Sequence, residues 1–326
     1  MKTLLLSATD VAKVINFKDV IEAVEKGYIA FNRGLIQQPP IQSMEMDEYN
    51  AEMDVKTCYN GLNSLISVKM LAGSNDNCKV DLPPYMGTVS ILSGKDGTTQ
   101  CIMDAGLITG IRTGAAGALS CKYLARKDSE VVAVIGAGGQ ARNQIYALKE
   151  LFNIKEIRVF SPSKEEMPKY KEEVEAKTGV KVVITESASE AMKGADIAIS
   201  TTPAKEYMIE AKDVKPGMHI VAVGADIAGK NEWDPEIFRR AKVYNDSKSQ
   251  CAVRGETRNA LVKGVITEDD IMGEIGQVIE GQIPARTSDD EITIFDTVGL
   301  ALQDNVTAEM IFNTAVKTGM GTYFEF

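Results

Sequence analysis

The chain has 326 residues, enough for two domains at roughly 150 residues each, with a sizeable core in both. Its 36 Lys and Arg against 46 Asp and Glu give a net charge of -10, and no basic block gathers the positive charge, so a nucleic-acid partner is not expected. With 44% hydrophobic residues, 27 Gly and 10 Pro, the composition excludes collagen, low complexity and general disorder.

Five cysteines (Cys58, Cys78, Cys101, Cys121 and Cys251) stand apart with no C-x-x-C pair. A zinc ribbon, a dithiol centre or a disulfide-stapled secreted fold is therefore not expected, and a reducing cytoplasm is. The single histidine, His219, precludes a multi-histidine metal site, and its setting in Met218-His219-Ile220-Val221 reads as a packed strand residue. No metal is expected. The opening run of residues 1 to 6 is too short for a signal h-region, and nothing approaches the roughly 18 apolar residues of a membrane span, so a soluble protein without a membrane role is expected.

In chain order, Ser7-Ala8-Thr9-Asp10 and Asn16-Phe17-Lys18-Asp19 resemble capping boxes. Val20, Ile21, Val24, Tyr28 and Phe31 then recur at helical spacing, which predicts an amphipathic helix ending near Gly34. Strand-like runs follow at about 54 to 59, 63 to 70, 86 to 93 and 98 to 103, with Gly94-Lys95-Asp96-Gly97 as hairpin chemistry between the last two. This predicts an α+β unit on a largely antiparallel sheet. From residue 130 the pattern becomes short continuous apolar strands alternating with helices: 131 to 135, 157 to 160, 180 to 184, 196 to 199 and 220 to 223. Continuous hydrophobicity means strands covered on both faces, so the expected fold class is α/β, a Rossmann-type doubly wound parallel sheet beside a discontinuous α+β domain. A further strand is expected at 291 to 295 and a long helix from about 300 to 317, crossing back to the first domain. The domains are drawn at 1–115 with 300–326, for substrate binding and dimerisation, and at 116–299, for the dinucleotide.

The strand Val131 to Ile135 runs into Gly136-Ala137-Gly138-Gly139-Gln140-Ala141 and then a helix. In this G-x-G-x-x-A reading Gly136 makes the tight turn, Gly138 lets pyrophosphate approach, and Ala141 packs helix on sheet. The second strand ends in Ser161-Pro162-Ser163-Lys164, without the acidic residue that would bond both ribose hydroxyls. Ser161, Ser163 and Lys164 can hold a 2′-phosphate instead, which points to NADP over NAD; the alternative is an ordinary solvated turn of Ser and Lys.

Lys69 shares a strand face with Ser67, while Ile66, Val68 and Met70 share the other, so Lys69 is expected at a cleft. On a helix, Arg112 shares a face with Ile108, Ala115 and Leu119, where a cation is costly to desolvate without an anion; a bound carboxylate answers that cost. The alternative for either residue is an internal salt bridge. Asp226 follows the strand ending at Val223, at the carboxyl edge where open parallel sheets place ligands; the alternative is a cap.

Together these segments resemble the ornithine cyclodeaminase and mu-crystallin family, which includes archaeal-type alanine dehydrogenases and ketimine reductases. The resemblance rests on Ser67-Val68-Lys69, Thr109-Gly110-Ile111-Arg112-Thr113-Gly114-Ala115-Ala116, the Gly136 loop, Pro216-Gly217-Met218-His219, Gly224-Ala225-Asp226, Gly229-Lys230-Asn231-Glu232, and Ile294-Phe295-Asp296-Thr297-Val298-Gly299 before Ala301 and Asp304. It implies a homodimer with NAD(P) on the Rossmann domain, Lys69 and Arg112 as carboxylate ligands, and Asp226 as acid/base residue, with Lys69 as the other catalytic candidate. It also implies nucleotide contacts from Arg112, Thr113, Gly139, Gln140 and the Thr297-Val298-Gly299 stretch near the nicotinamide. Two departures concern the substrate. The family's arginine after paired prolines is missing in Pro39-Pro40-Ile41-Gln42, and where ornithine cyclodeaminases offer a glutamate this chain reads Val55-Lys56-Thr57-Cys58-Tyr59. A cation at Lys56 repels the second ammonium of ornithine and can replace the missing arginine as a carboxylate ligand.

The resulting expectation is an NAD(P)-dependent oxidoreductase acting on the C–N bond of a small α-amino or α-imino acid. A cyclodeaminase-type lyase that uses its nucleotide catalytically is the alternative, and a crystallin-like binding protein without turnover is a third reading.

Overall fold

The computed structural model describes residues 2–74 and 76–326, the side chain of Cys78 excepted. The chain divides into two compact units, Met1–Arg112 with Leu300–Phe326 and Thr113–Gly299.

In the first unit the strands are β1 (Lys2–Leu6), β2 (Ile36–Gln37), β3 (Gln42–Met46), β4 (Ala51–Asn60), β5 (Leu65–Ser74), β6 (Tyr85–Ser93) and β7 (Thr99–Asp104). From β4 to β7 they form an antiparallel meander, with β2 and β3 both pairing with β4. β1 lies parallel to β7 and antiparallel to a final strand, Thr322–Glu325, so the sheet is not antiparallel throughout. Neither end strand was expected: Lys2–Leu6 is a bare apolar run, and Thr322–Glu325 is exposed along its length and carries no burial pattern. Ser7 caps the helix Ala8–Val14 reciprocally with Asp10, and Asn16 caps Phe17–Asn32, which buries Val20, Ile21, Val24 and Tyr28. Gly27 lets that helix approach Ala301–Thr318, since a Cβ there would lie 3.0 Å from Leu302. Leu4, Val89, Ile91, Met103, Ile108 and Ile311 centre the core.

The two faces read for β5 are present, and the polar one is the covered one. Its covered face is Leu65, Ser67 and Lys69, while Met70 is 41% exposed. The polar face is the one beneath helix Ala301–Thr318, because that helix supplies polar partners: Asn305 Nδ2 donates to Ser67 Oγ at 3.1 Å and Asp304 meets Lys69.

The second unit contains β8 (Val131–Ile135), β9 (Glu156–Phe160), β10 (Lys181–Ile184), β11 (Ile197–Ser200), β12 (His219–Ala222), β13 (Ala241–Asn245), β14 (Ile271–Glu274) and β15 (Ile292–Asp296). All pair in parallel, in the order β10-β9-β8-β11-β12-β15-β13-β14. This is a doubly wound sheet whose order reverses between β8 and β11, the switch point at which such folds bind ligands. The expected strands up to β12, and β15, are present. β13 and β14 were not expected, because Ala-Lys-Val-Tyr-Asn and Ile-Met-Gly-Glu lack a continuous apolar run and their pairing is broken by an irregularity at Val243 and Tyr244. His219 is buried in β12 between Ser120 Oγ (3.0 Å from Nε2) and Thr293 Oγ1 (2.8 Å from Nδ1), and burial pushes its pKa down to about 3. It is neutral. Among the described residues no helix is long and apolar enough to cross a membrane, and no cluster of His, Cys, Asp and Glu has the makings of a metal site.

Candidate active site

The first unit gathers charge around one carboxylate. Antiparallel pairing sets Lys56 of β4 directly opposite Lys69 of β5, so the two side chains share a face. Lys56, Lys69 and Arg112 are 8%, 1% and 3% exposed. Lys69 Nζ lies 2.9 Å from both carboxylate oxygens of Asp304 and 3.4 Å from Thr109 Oγ1. Arg112 reaches the same carboxylate through Nε at 3.0 Å and Gln303 Oε1 through Nη1 at 2.6 Å, and Gln303 Nε2 donates in turn to Tyr28 OH. The internal salt bridge weighed above is therefore present. It leaves two buried cations, Lys69 and Arg112, on one carboxylate. Burial and then the repulsion of Arg112 push Lys69 down to about 7, with Asp304 opposing and Lys56 adding to the fall. Burial alone would raise the Asp304 carboxyl, yet Arg112, Lys69 and Lys56 hold it below its ordinary value. Two buried cations on one carboxylate favour an incoming anion, and a carboxylate fits the guanidinium and ammonium donors. Asp304 was part of the family resemblance but had no role read for it; an acid between Gln303 and Asn305 in the first turn of a helix carries no local signal.

In the second unit the glycine loop divides into two kinds of position. Gly136 has φ +112° and donates its N–H to Phe160 O at 2.8 Å, and a Cβ there would fall 2.6 Å from Thr201 Oγ1, so the turn itself demands glycine. At Gly138 and Gly139 a Cβ would meet nothing within 4 Å. The chain's own packing does not require glycine at these two positions; a closely seated ligand would. Gly138 caps the helix Gly139–Lys149 with no side chain, and no acidic residue sits in its first turn, so the positive end of the helix has no charged answer from the chain. Arg142 braces the loop by donating to Ala137 O (2.5 Å) and Gly138 O (3.1 Å) while pairing with Glu173. Ala141 is fully buried, and Gln140 Oε1 is buried without a hydrogen-bond partner. These features fit a dinucleotide. The small residues after Arg112 have a packing reason: a Cβ at Gly114 would lie 2.4 Å from Asn143 O and one at Gly117 would lie 1.9 Å from Gln144 Oε1, while Gln144 Nε2 bonds Thr113 O at 3.0 Å.

At the end of β9 Ser161 is buried and its hydroxyl accepts from Ser163 N at 3.2 Å, while the exposed Lys164 pairs with Glu186 at 3.1 Å. The Thr297-Val298-Gly299 stretch is held by one carboxylate that sequence reasoning missed. Thr297 Oγ1, Val298 N and Gly299 N all donate to Asp246 Oδ2, at 2.6, 3.1 and 3.1 Å. Asp246 follows β13, the strand the sequence did not reveal. Asp226 lies in the turn after β12, 46% exposed, with Oδ1 at 2.6 Å from Lys230 Nζ and its carbonyl accepting from Arg254 Nε at 2.8 Å. It caps no helix of the described chain.

Comparison with known proteins gives the chain's family. The sequence profile of the ornithine cyclodeaminase/mu-crystallin family matches residues 1–319. Alanine dehydrogenase of Archaeoglobus fulgidus is 34% identical over 326 residues, covering 100% of this chain and 99% of its own. Among solved structures, an archaeal alanine dehydrogenase dimer with bound NAD aligns at a TM-score of 0.94 and 33% identity over 100% of both chains. The Δ1-pyrroline-2-carboxylate reductase of Thermococcus litoralis, in complex with NADH and L-proline, aligns at a TM-score of 0.95 and 33% identity over 98% of this chain and 99% of its own.

Proposed function

Because the chain belongs to the ornithine cyclodeaminase/mu-crystallin family, we infer that it is an NAD(P)-dependent oxidoreductase acting at the C–N bond of a small α-amino or α-imino acid. The observation that carries this reading is the convergence of Lys69 and Arg112 on the carboxylate of Asp304, with Lys56 buried opposite Lys69, in a chain whose other unit has a glycine loop with room at the head of a helix. Arg112 and Lys69 bind the substrate carboxylate, with Lys56 beside them. A bound nicotinamide supplies a hydride to the α-carbon of an imine, or accepts one from an amine. The nitrogen must gain a proton in the first direction and lose one in the second, and Asp226 is the group proposed to move it, with Lys69 as the other titratable candidate.

The nucleotide is held by Gly136, Gly138, Gly139, Gln140 and Ala141 at the helix head, by Arg112 and Thr113, and by Thr297, Val298 and Gly299. Ser161, Ser163 and Lys164 receive a 2′-phosphate, which makes NADP the preferred form over NAD. A diamino acid is disfavoured as substrate because Lys56 repels a second ammonium, and this sets the reading against a cyclodeaminase. A homodimer working in the cytoplasm completes the proposal, in line with the archaeal alanine dehydrogenase dimer.

Fluorescence titration with NADPH and NADH, followed by nucleotide oxidation in the presence of 2-oxo acids and ammonia or of cyclic imines, tests the reading. Tight NADPH binding and imine-dependent oxidation support it. Binding without oxidation across the panel sinks the catalytic part, and a clear preference for NADH sinks the phosphate site.

A further inference from the structure

At the carboxyl edge of the second unit's sheet, buried carboxyl groups form a chain of contacts. Glu232 accepts from Ser200 Oγ at 2.7 Å, Thr202 N at 2.5 Å and Gly224 N at 2.9 Å, so one side chain bridges the ends of β11 and β12. Glu232 N donates to Glu256 Oε1 at 2.5 Å, and Glu256 N and Thr257 N donate to Asp296 at 3.2 and 2.8 Å. Two glycines exist to admit these carboxylates. A Cβ on Gly224 would lie 2.3 Å from Glu232 Oε2, and one on Gly255 would lie 2.3 Å from Asp296 Oδ2.

The donors to Glu232 are all neutral, and three of them converge on its two oxygens. Oε2 accepts from both Ser200 Oγ and Gly224 N, so a proton placed there either displaces Gly224 N or turns the Ser200 hydroxyl from donor to acceptor, and a proton on Oε1 weakens the group as an acceptor; the ionised carboxylate is the form that holds all three donors best. We propose that Glu232 is a positioning residue for the turn carrying Asp226: its ionised carboxylate fixes Gly224, two residues before Asp226, and protonation releases that turn. The inference rests on the reading of Asp226 as the proton-transfer residue. The titratable groups around Glu232 are Glu256, from helix Glu256–Val262, and Asp296 of β15; Asp246, Cys251 and Glu274 beside Lys248 stand beyond them. Burial pushes Glu232 up to about 7, and burial with the like charge of Glu232 pushes Glu256 up to about 8. The release therefore falls near neutral pH.

Amide hydrogen exchange on the NADPH-bound protein, corrected for intrinsic rates, tests this in the unmodified chain. Protection at Gly224 and Thr202 should fall on the order of tenfold for a pH one unit below the titration. Glu232→Gln should abolish that dependence and the matching limb in the kcat profile for 2-oxo acids with ammonia, leaving NADPH affinity unchanged. Ser200→Ala is the milder variant: loss of one donor to the carboxylate should move the limb to higher pH. Protection indifferent to pH, or a limb unmoved in both variants, overturns the proposal. If Asp226→Asn keeps its kcat while protection at Gly224 still titrates, the clamp stands and the role of Asp226 falls.

Discussion

Lys56 and Lys69 face one another across β4 and β5, both buried, and Lys69 bonds the carboxylate of Asp304, 235 residues further along the chain. Like charges directly opposite on paired strands destabilise a sheet. Placing them side by side makes sense where an anion is expected to arrive. Arg112→Lys should raise KM for the amino or imino acid by roughly tenfold to a hundredfold, the worth of one charge-assisted contact, because an ammonium cannot reproduce the planar fork. Steady-state kinetics beside a thermal melt checks it. Normal kinetics in a destabilised protein would assign Arg112 to the internal salt bridge alone.

Gly138→Ala separates ligand room from chain geometry. Gly138 has φ −81° and ψ −169°, which any residue adopts, and its Cβ would meet nothing within 4 Å. Stability should stay within about 0.5 kcal/mol, as for a surface substitution, while NADPH affinity drops tenfold or more. A titration showing unchanged affinity would mean that the nucleotide does not approach this backbone.

The parallel sheet was legible because β8, β11 and β12 each carry at least three apolar residues in a row, and the Gly136 loop because φ +112° leaves glycine as the ready choice. β13 and β14 were not legible, since their residues read as an ordinary polar mixture, and with them went Asp246, whose hold on Thr297, Val298 and Gly299 no local pattern announces. The same limit hid Asp304: period-2 alternation in β5 gives two faces but not which one is covered, and only the helix packed above makes the polar face the inner one. Lys69 and Arg112 stood out as cations in apolar settings, whereas their shared partner is distant in sequence.

Stability should fall as pH rises from about 5 to 7. Glu232, Glu256 and Asp296 titrate in the folded chain at about 7, 8 and 7, against 4.5, 4.5 and 3.8 for free side chains. Across that window the folded chain keeps protons that the unfolded chain has lost, so stability decreases with pH. His219, pushed down to about 3 from 6.5, acts in the opposite sense below 6.5, but as one group against three. Urea midpoints at pH 5.5 and 7 check the sign, and Glu256→Gln should flatten the slope. A midpoint that rises with pH would mean that these carboxyls are ionised throughout.

Asp226→Asn keeps the shape of the side chain and one acceptor while removing its titrating group. Its kcat should fall about 10² to 10⁴-fold with NADPH binding intact, the range for loss of a general acid or base. A variant with near-normal kcat across the pH profile would transfer the proton to Lys69, whose pKa of about 7 suits the task.

The central claim is a net hydride transfer to the α-carbon of an imino acid, and reduced nucleotide deuterated at the transferring position of its nicotinamide tests it most directly. The account expects one deuterium at the α-carbon of each amine product, with an equal amount of nucleotide left oxidised. Product formed with no net nucleotide oxidation, or with no deuterium at that carbon, would contradict it.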